Sequence, residues 1–243
     1  MKRIHMPTID ARYWLAIALA SIFGTNLGDL YAHESGLGLI MGLPILIALA
    51  AAVFFVERTD RRVHEVYYWL IIIIIRTGAT NIADYMAGRH HMGIPRIPLS
   101  IALGLIIAGL AWYMKRNDDA PVEGKLPDTG VAYWLAMLGA GVFGTALGDA
   151  VSHMIGEGPA SLVLGAILAA TLFVRSRVAV PGIALYWLTV SIARTAGTAI
   201  GDFLAEDERL NIGLPLATLI TGSIFIAVLL LWRSRKPLIA ATA

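Results

Sequence analysis

The stretch YWLAIALASIFGTNLGD, residues 13–29, decides the fold. It opens on a Tyr-Trp pair, runs apolar for the length of a membrane helix, and closes on an aspartate fifteen residues after the tryptophan. The same frame returns at Tyr68-Trp69 to Asp84, Tyr133-Trp134 to Asp149 and Tyr186-Trp187 to Asp202. In each copy a leucine follows the tryptophan, and a threonine stands eleven residues beyond it: Thr25, Thr80, Thr145 and Thr198. Self-similarity at fixed offsets marks a repeat architecture. The chain therefore reads as four copies of one unit.

Composition sets the class. Of 243 residues, 58% are hydrophobic and only 15% charged, which puts the chain among membrane proteins. The start MKRIHMPTIDAR is basic, but the apolar segment after it is as long as a full span and recurs downstream, so no cleavable signal peptide is expected. There are no cysteines, which excludes disulfides and thiolate metal sites. The net charge of +2 comes from basic residues that topology accounts for, so no nucleic-acid partner is expected.

Apolar segments fall at 13–32, 37–56, 67–86, 97–114, 132–152, 159–174, 183–204 and 212–232. Most reach the ~17–25 residues that cross a bilayer core. In lipid the backbone must satisfy its own hydrogen bonds, and the alternation of a barrel strand is absent, so these are helices. Fourteen basic residues lie on one side: Lys2, Arg3, Arg12, Arg58, Arg61, Arg62, Lys115, Arg116, Lys125, Arg175, Arg177, Arg233, Arg235 and Lys236. Only Arg89, Arg96 and Arg209 lie opposite. That bias places both termini in the cytoplasm, and the Tyr-Trp pairs at the inner interface.

The expected fold is an all-α polytopic membrane protein. Its eight transmembrane helices form four parallel hairpin repeats, with pseudo-twofold and approximate fourfold symmetry about the membrane normal. The first half covers 13–114, a cytoplasmic linker 115–131, and the second half 132–232. Units one and three carry FGTNLGD and FGTALGD, and residues 13–29 and 133–149 agree at eleven of seventeen positions. Units two and four carry RTGATNIAD and RTAGTAIGD, and residues 68–84 and 186–202 agree at nine.

Positions seven, eleven and fifteen after each tryptophan fall within ~80° on a helix. One stripe therefore carries Arg76, Thr80 and Asp84, and another Arg194, Thr198 and Asp202. The remaining two carry Ser21, Thr25 and Asp29, and Gly141, Thr145 and Asp149. Beside them run Gly24/Gly28, Ala79/Ala83, Gly144/Gly148 and Gly197/Gly201, small residues four apart that let helices approach closely. The first, third, fifth and seventh helices should thus form an inner bundle. The other four, almost free of charge, should face lipid.

Arg76 and Arg194 lie halfway across, where a charge costs ~3 kcal/mol on insertion scales. Either they bridge to aspartates and lock the bundle, or they line a path for a substrate or ion. Partners on adjacent helices are expected, because Asp84 and Asp202 lie ~12 Å away along the same helix. The four aspartates Asp29, Asp84, Asp149 and Asp202 exceed the two arginines by two charges. Such a ring wants a cation or acts as a set of proton carriers; the blander reading is a group of shallow, solvated acids. Asp29/His33 and Asp149/His153 are i, i+4 pairs that, facing each other, would supply a four-ligand site for a divalent metal ion. The alternative is that His33 and His153 are ordinary interfacial histidines. His90, His91, Glu157, Glu206, Asp207 and Glu208 read as loop residues. No G-x-S-x-G elbow, Walker A loop or H-E-x-x-H pair is present, and no catalytic residue is assigned.

The frame YW…FGTxLGD with its partner YW…RTxxTxxxD resembles a bacterial family of uncharacterised membrane-anchored proteins built from four tandem two-helix repeats with a shared tryptophan. The resemblance spans residues 13–232 and implies the repeat architecture and a bacterial inner-membrane home. It brings no activity. The residues themselves favour a small transporter or exchanger for a cation or metal ion, with proton coupling open to it. In it the four aspartates, four threonines and two arginines would meet a small ion or small-molecule substrate within the lipid bilayer. A membrane-embedded enzyme or cofactor- or lipid-binding protein, a scaffold or accessory subunit, and a homo-oligomer all stay open.

Overall fold

The computed structural model describes residues 7–60, 65–117, 126–127, 129–177 and 182–232. Its regular elements, among the described residues, are eight α-helices: α1 Ala11–Glu34, α2 Gly38–Thr59, α3 Val66–Ala87, α4 Arg96–Asn117, α5 Val131–Ile155, α6 Glu157–Ser176, α7 Ile183–Glu206 and α8 Leu214–Leu231. All eight are long and apolar enough to cross a membrane, as the segment lengths require. The ends are set locally. Asp10 caps α1 by accepting a hydrogen bond from the Tyr13 N–H at 2.9 Å. One residue, Gly156, separates α5 from α6, and its φ of +88° is a conformation glycine adopts without strain.

Burial separates two sets of helices. In the apolar windows of α1, α3, α5 and α7, 44–67% of residues are buried, against 11–28% in α2, α4, α6 and α8. The first set is the core and the second presents its apolar surface to lipid, as the placement of charge implied. The inner helices pack in a closed order, α1 on α3, α3 on α5, α5 on α7 and α7 on α1. Each peripheral helix packs chiefly on the inner helix of the unit that follows it. Thus α2 lies on α3, α4 on α5, α6 on α7 and α8 on α1, while α1 and α2, joined by a short turn, touch little. Tryptophans tie three of these peripheral helices to the next inner helix around the ring: Trp134 of α5 meets Phe54 of α2 at 5.7 Å, Trp69 of α3 meets Phe225 of α8 at 6.0 Å, and the Arg175 guanidinium of α6 lies 4.3 Å from the Trp14 ring of α1.

The close-packing stripe works through glycine. A Cβ on Gly144 would stand 2.5 Å from the Arg194 Cβ and 2.9 Å from the Thr195 nitrogen, so α5 and α7 touch backbone to backbone there. Of the basic residues counted for topology, Arg12 opens α1 beside a Tyr-Trp pair, and Arg58, Lys115, Arg116, Arg175 and Arg177 stand at or just past the C-terminal ends of α2, α4 and α6. Lys2, Arg3, Arg61, Arg62, Lys125, Arg233, Arg235 and Lys236 lie outside the described residues, as does most of the linker 115–131.

Candidate functional site

The inner bundle is built in layers four residues apart. One residue before each tryptophan, Tyr13, Tyr68, Tyr133 and Tyr186 turn inward, each no more than 2% exposed. Their hydroxyls close a ring: Tyr13 to Tyr68 2.9 Å, Tyr68 to Tyr133 2.7 Å, Tyr133 to Tyr186 2.8 Å and Tyr186 to Tyr13 2.6 Å. In such a ring each phenol donates once and accepts once, so four polar groups are satisfied without water. Amphipathic tyrosines beside tryptophans suggest interfacial anchors; here the tyrosines turn inward, and Trp14, Trp69 and Trp187 are buried beside them. The signal was in the spacing, since the tyrosines continue the same interval of four that links Ser21, Thr25 and Asp29.

Above the tyrosines comes an apolar layer of Ile17, Ile72, Met137 and Val190, all fully buried. The next layer holds Ser21, Arg76, Gly141 and Arg194, and the two arginines part company. Arg76 reaches toward the aspartate end. Its Nη1 donates to Thr80 at 3.1 Å and Thr145 at 2.8 Å, and its Nη2 to Thr25 at 2.5 Å and Thr198 at 2.6 Å. One guanidinium thus ties all four inner helices. Arg194 has far less: its Nη1 donates to Ser21 Oγ at 3.3 Å and its Nη2 to Met137 Sδ at 3.3 Å. Both arginines are fully buried, and Nε of each lacks a hydrogen-bond partner among the described residues. The expected bridges to aspartates are not formed. A guanidinium spans about one helical turn, ~6 Å, which brings the threonine layer within reach and leaves the acids a turn beyond.

Past the threonines the bundle opens into a cavity of about 370 Å³ at the aspartate end. The four threonines floor it, Asp29, Asp84, Asp149 and Asp202 ring it, and His33, His153 and Glu206 stand at its mouth. The structure therefore brings together all four aspartates and all four threonines of the sequence stripe, with Arg76 beneath them. Asp149 pairs with Arg96, Nε to Oδ2 3.4 Å. No described residue hydrogen-bonds or ion-pairs the carboxylates of Asp29, Asp84 or Asp202, and they face the cavity free. Arg96, and Glu157 and Glu206, whose sequence reading is loop charge, belong to this site. Arg96 opens α4, Glu157 opens α6 and Glu206 closes α7, the last two lining the cavity.

The four-ligand metal site is not assembled. Among the described residues no group of three or more His, Cys, Asp or Glu is placed to hold a metal ion. His33 and His153 are exposed, and the Nδ1 of each lies 2.8 Å from the main-chain oxygen of Asp29 or Asp149 respectively. An i, i+4 spacing puts two side chains on one face, but it does not stop a histidine from folding back on its own helix. At the tyrosine end Arg12 holds both oxygens of Glu65 at 2.8 Å, and Trp69 donates to Glu65 at 3.0 Å. This contact joins α1 to the start of α3 and had no signal in the repeat frame, because Glu65 lies outside it.

The chain is similar, at two places, to a family model described as a Repeat of Unknown Function (DUF347), matched by residues 12–62 and 185–237. These stretches take in the two-helix units α1–α2 and α7–α8. No curated protein and no solved structure matches the chain.

Proposed function

We propose that the protein is a small carrier or exchanger for a cation, with the aspartate-ringed cavity as its binding vestibule. The observation that carries this reading is one arrangement: three unpartnered carboxylates and a fourth paired to Arg96 face a cavity of about 370 Å³ that is closed below by Arg76. Unpaired ionisable groups within a membrane span are costly to keep and mark ion or substrate paths by default. Carboxylates spread around such a volume, with no three converging on a point, suit a solvated or molecular cation better than a bare metal ion. They also offer sites for protons, so proton-coupled exchange is part of the proposal.

In this reading the bundle has pseudo-twofold and approximate fourfold symmetry about the membrane normal. The basic tyrosine end faces the cytoplasm of a bacterial inner membrane and the cavity faces outward. The structure is then an outward-open state, sealed toward the cytoplasm by Arg76, the apolar layer and the tyrosine ring. A scaffold role is the second reading, favoured by the way Arg76 ties four helices through neutral hydroxyls.

The test is thermal stability of detergent-purified protein across a panel of inorganic and organic cations, beside Asp29→Asn/Asp149→Asn. A ligand that binds only the folded state adds ~2.7 kcal/mol at a hundred times its Kd. We expect a shift specific to one cation class, lost in the double variant, with matching uptake in proteoliposomes. A variant as stable as the parent, with no shift from any cation, would leave the scaffold reading standing alone.

A further inference from the structure

The threonine layer carries an inference beyond the charge of the vestibule. Thr25 spends its hydroxyl proton on the Ser21 carbonyl at 2.9 Å, Thr198 on the Arg194 carbonyl at 3.2 Å and Thr80 on the Arg76 carbonyl at 3.4 Å. With those protons committed one turn back, the oxygens turn lone pairs to the axis and act as acceptors. They are also divided in a particular way: Thr80 and Thr145 serve one terminal nitrogen of Arg76, while Thr25 and Thr198 serve the other. That division matches a planar cation that carries two NH₂ groups, each meeting one pair of oxygens.

We propose that the four threonine hydroxyls form a binding site for a guanidinium-type cation, occupied in this structure by the chain's own Arg76. The proposal deepens the cation reading of the vestibule and rests on it. Arg76 is an incomplete occupant, because its third nitrogen, Nε, points back along its own chain and finds no partner. A free guanidinium arriving from the cavity would fill the same two pairs of acceptors and aim its third nitrogen the other way. That direction leads to the aspartate layer, about one turn or ~6 Å further on. The substrate class follows: guanidinium, an alkylguanidine or an amidine, competing with Arg76 for the ring.

The experiment is chemical rescue of Arg76→Ala, read by melting temperature. Guanidinium is used at millimolar concentration, where its denaturing action is negligible, with sodium chloride at equal ionic strength as the control. We expect a rise of about 3 °C or more with guanidinium or methylguanidinium and none with sodium. The rise should vanish when Thr25→Val/Thr198→Val is added. Since Arg194 could swing into the vacated ring, Arg76→Ala/Arg194→Leu is measured alongside. Arg76→Gln replaces any variant that does not accumulate. Rescue in any variant that keeps the four threonines supports the site; a rise that persists with Thr25→Val/Thr198→Val, or no rise in any folded variant, overturns it. Flux in the parent separates the two proposals. Rescue without cation flux keeps the threonine site and removes the carrier, whereas flux of another cation without rescue keeps the carrier and removes the guanidinium assignment.

Discussion

Gly24 lies flat against the root of the Arg76 side chain. A Cβ on Gly24 would stand 2.5 Å from Arg76 Cγ and 2.8 Å from its Cβ. The neighbour cannot yield by rotating a loose tip, because the far end of Arg76 is fixed to four threonines. Gly24→Ala should therefore cost ~1–3 kcal/mol, the range for forcing a methyl into a filled interior. Gly109, with no heavy atom within 4 Å of its Cβ position, should gain slightly from the same change through helix propensity. Melting curves of the two variants in one detergent compare them. Equal effects would mean that α1 and α3 are not in close contact there.

The two arginines at equivalent positions should respond with opposite sign. Arg194→Met removes a buried cation whose acceptors are a serine at 3.3 Å and a thioether at 3.3 Å. A poorly served buried charge replaced by an apolar side chain of similar length is commonly neutral or stabilising, by ~1–2 kcal/mol here. Arg76→Met removes four hydroxyl contacts of 2.5–3.1 Å and the tie between the inner helices. It should lower stability by ~2 kcal/mol. A pair of thermal melts decides it. A destabilised Arg194→Met would show that this guanidinium has better partners than Ser21 and Met137.

The tyrosine ring predicts non-additivity. Tyr133→Phe breaks two hydrogen bonds, to Tyr68 and to Tyr186, and leaves those hydroxyls short of a partner in a dry core. About 1–2 kcal/mol should be lost. Replacing all four tyrosines by phenylalanine removes every hydroxyl together, so nothing is left unpaired. The fourfold variant should cost much less than four times the single change. The stability series from one to four substitutions measures this. Simple addition would mean that the hydroxyls act independently and do not close a ring.

Much of this was legible in the offsets from tryptophan. Spans, the inner set of helices, and the shared face of Thr25, Thr80, Thr145, Thr198 and the four aspartates follow from helix geometry, because a repeated interval repeats a direction. What the offsets do not state is how far a side chain reaches along the axis. Arg76 meets threonines, not aspartates, because a long side chain chooses among layers by its own rotamer. The tyrosines were hidden for another reason: beside tryptophan at a helix start they fit both an interfacial anchor and an inward ring. Residues outside the frame, Glu65, Arg96 and Glu157, were brought to their contacts by turns between helices, and no periodicity points at a turn. Between their ends the peripheral helices lack charge all round, so their pattern gives no bearing on which neighbour they cover.

That last point has a consequence for how such a chain can change. Since α2 covers α3 and so on around to α8 on α1, the last described helix covers the first and the ring of units closes on itself. An open solenoid can lengthen or shorten by whole repeats, because its caps tolerate any number between them. Here one added or lost unit would strand an inner helix without its cover and open both the tyrosine ring and the threonine floor. Closure of the ring thus opposes a change in the number of inner helices, whereas a residue can be exchanged within its layer without opening it.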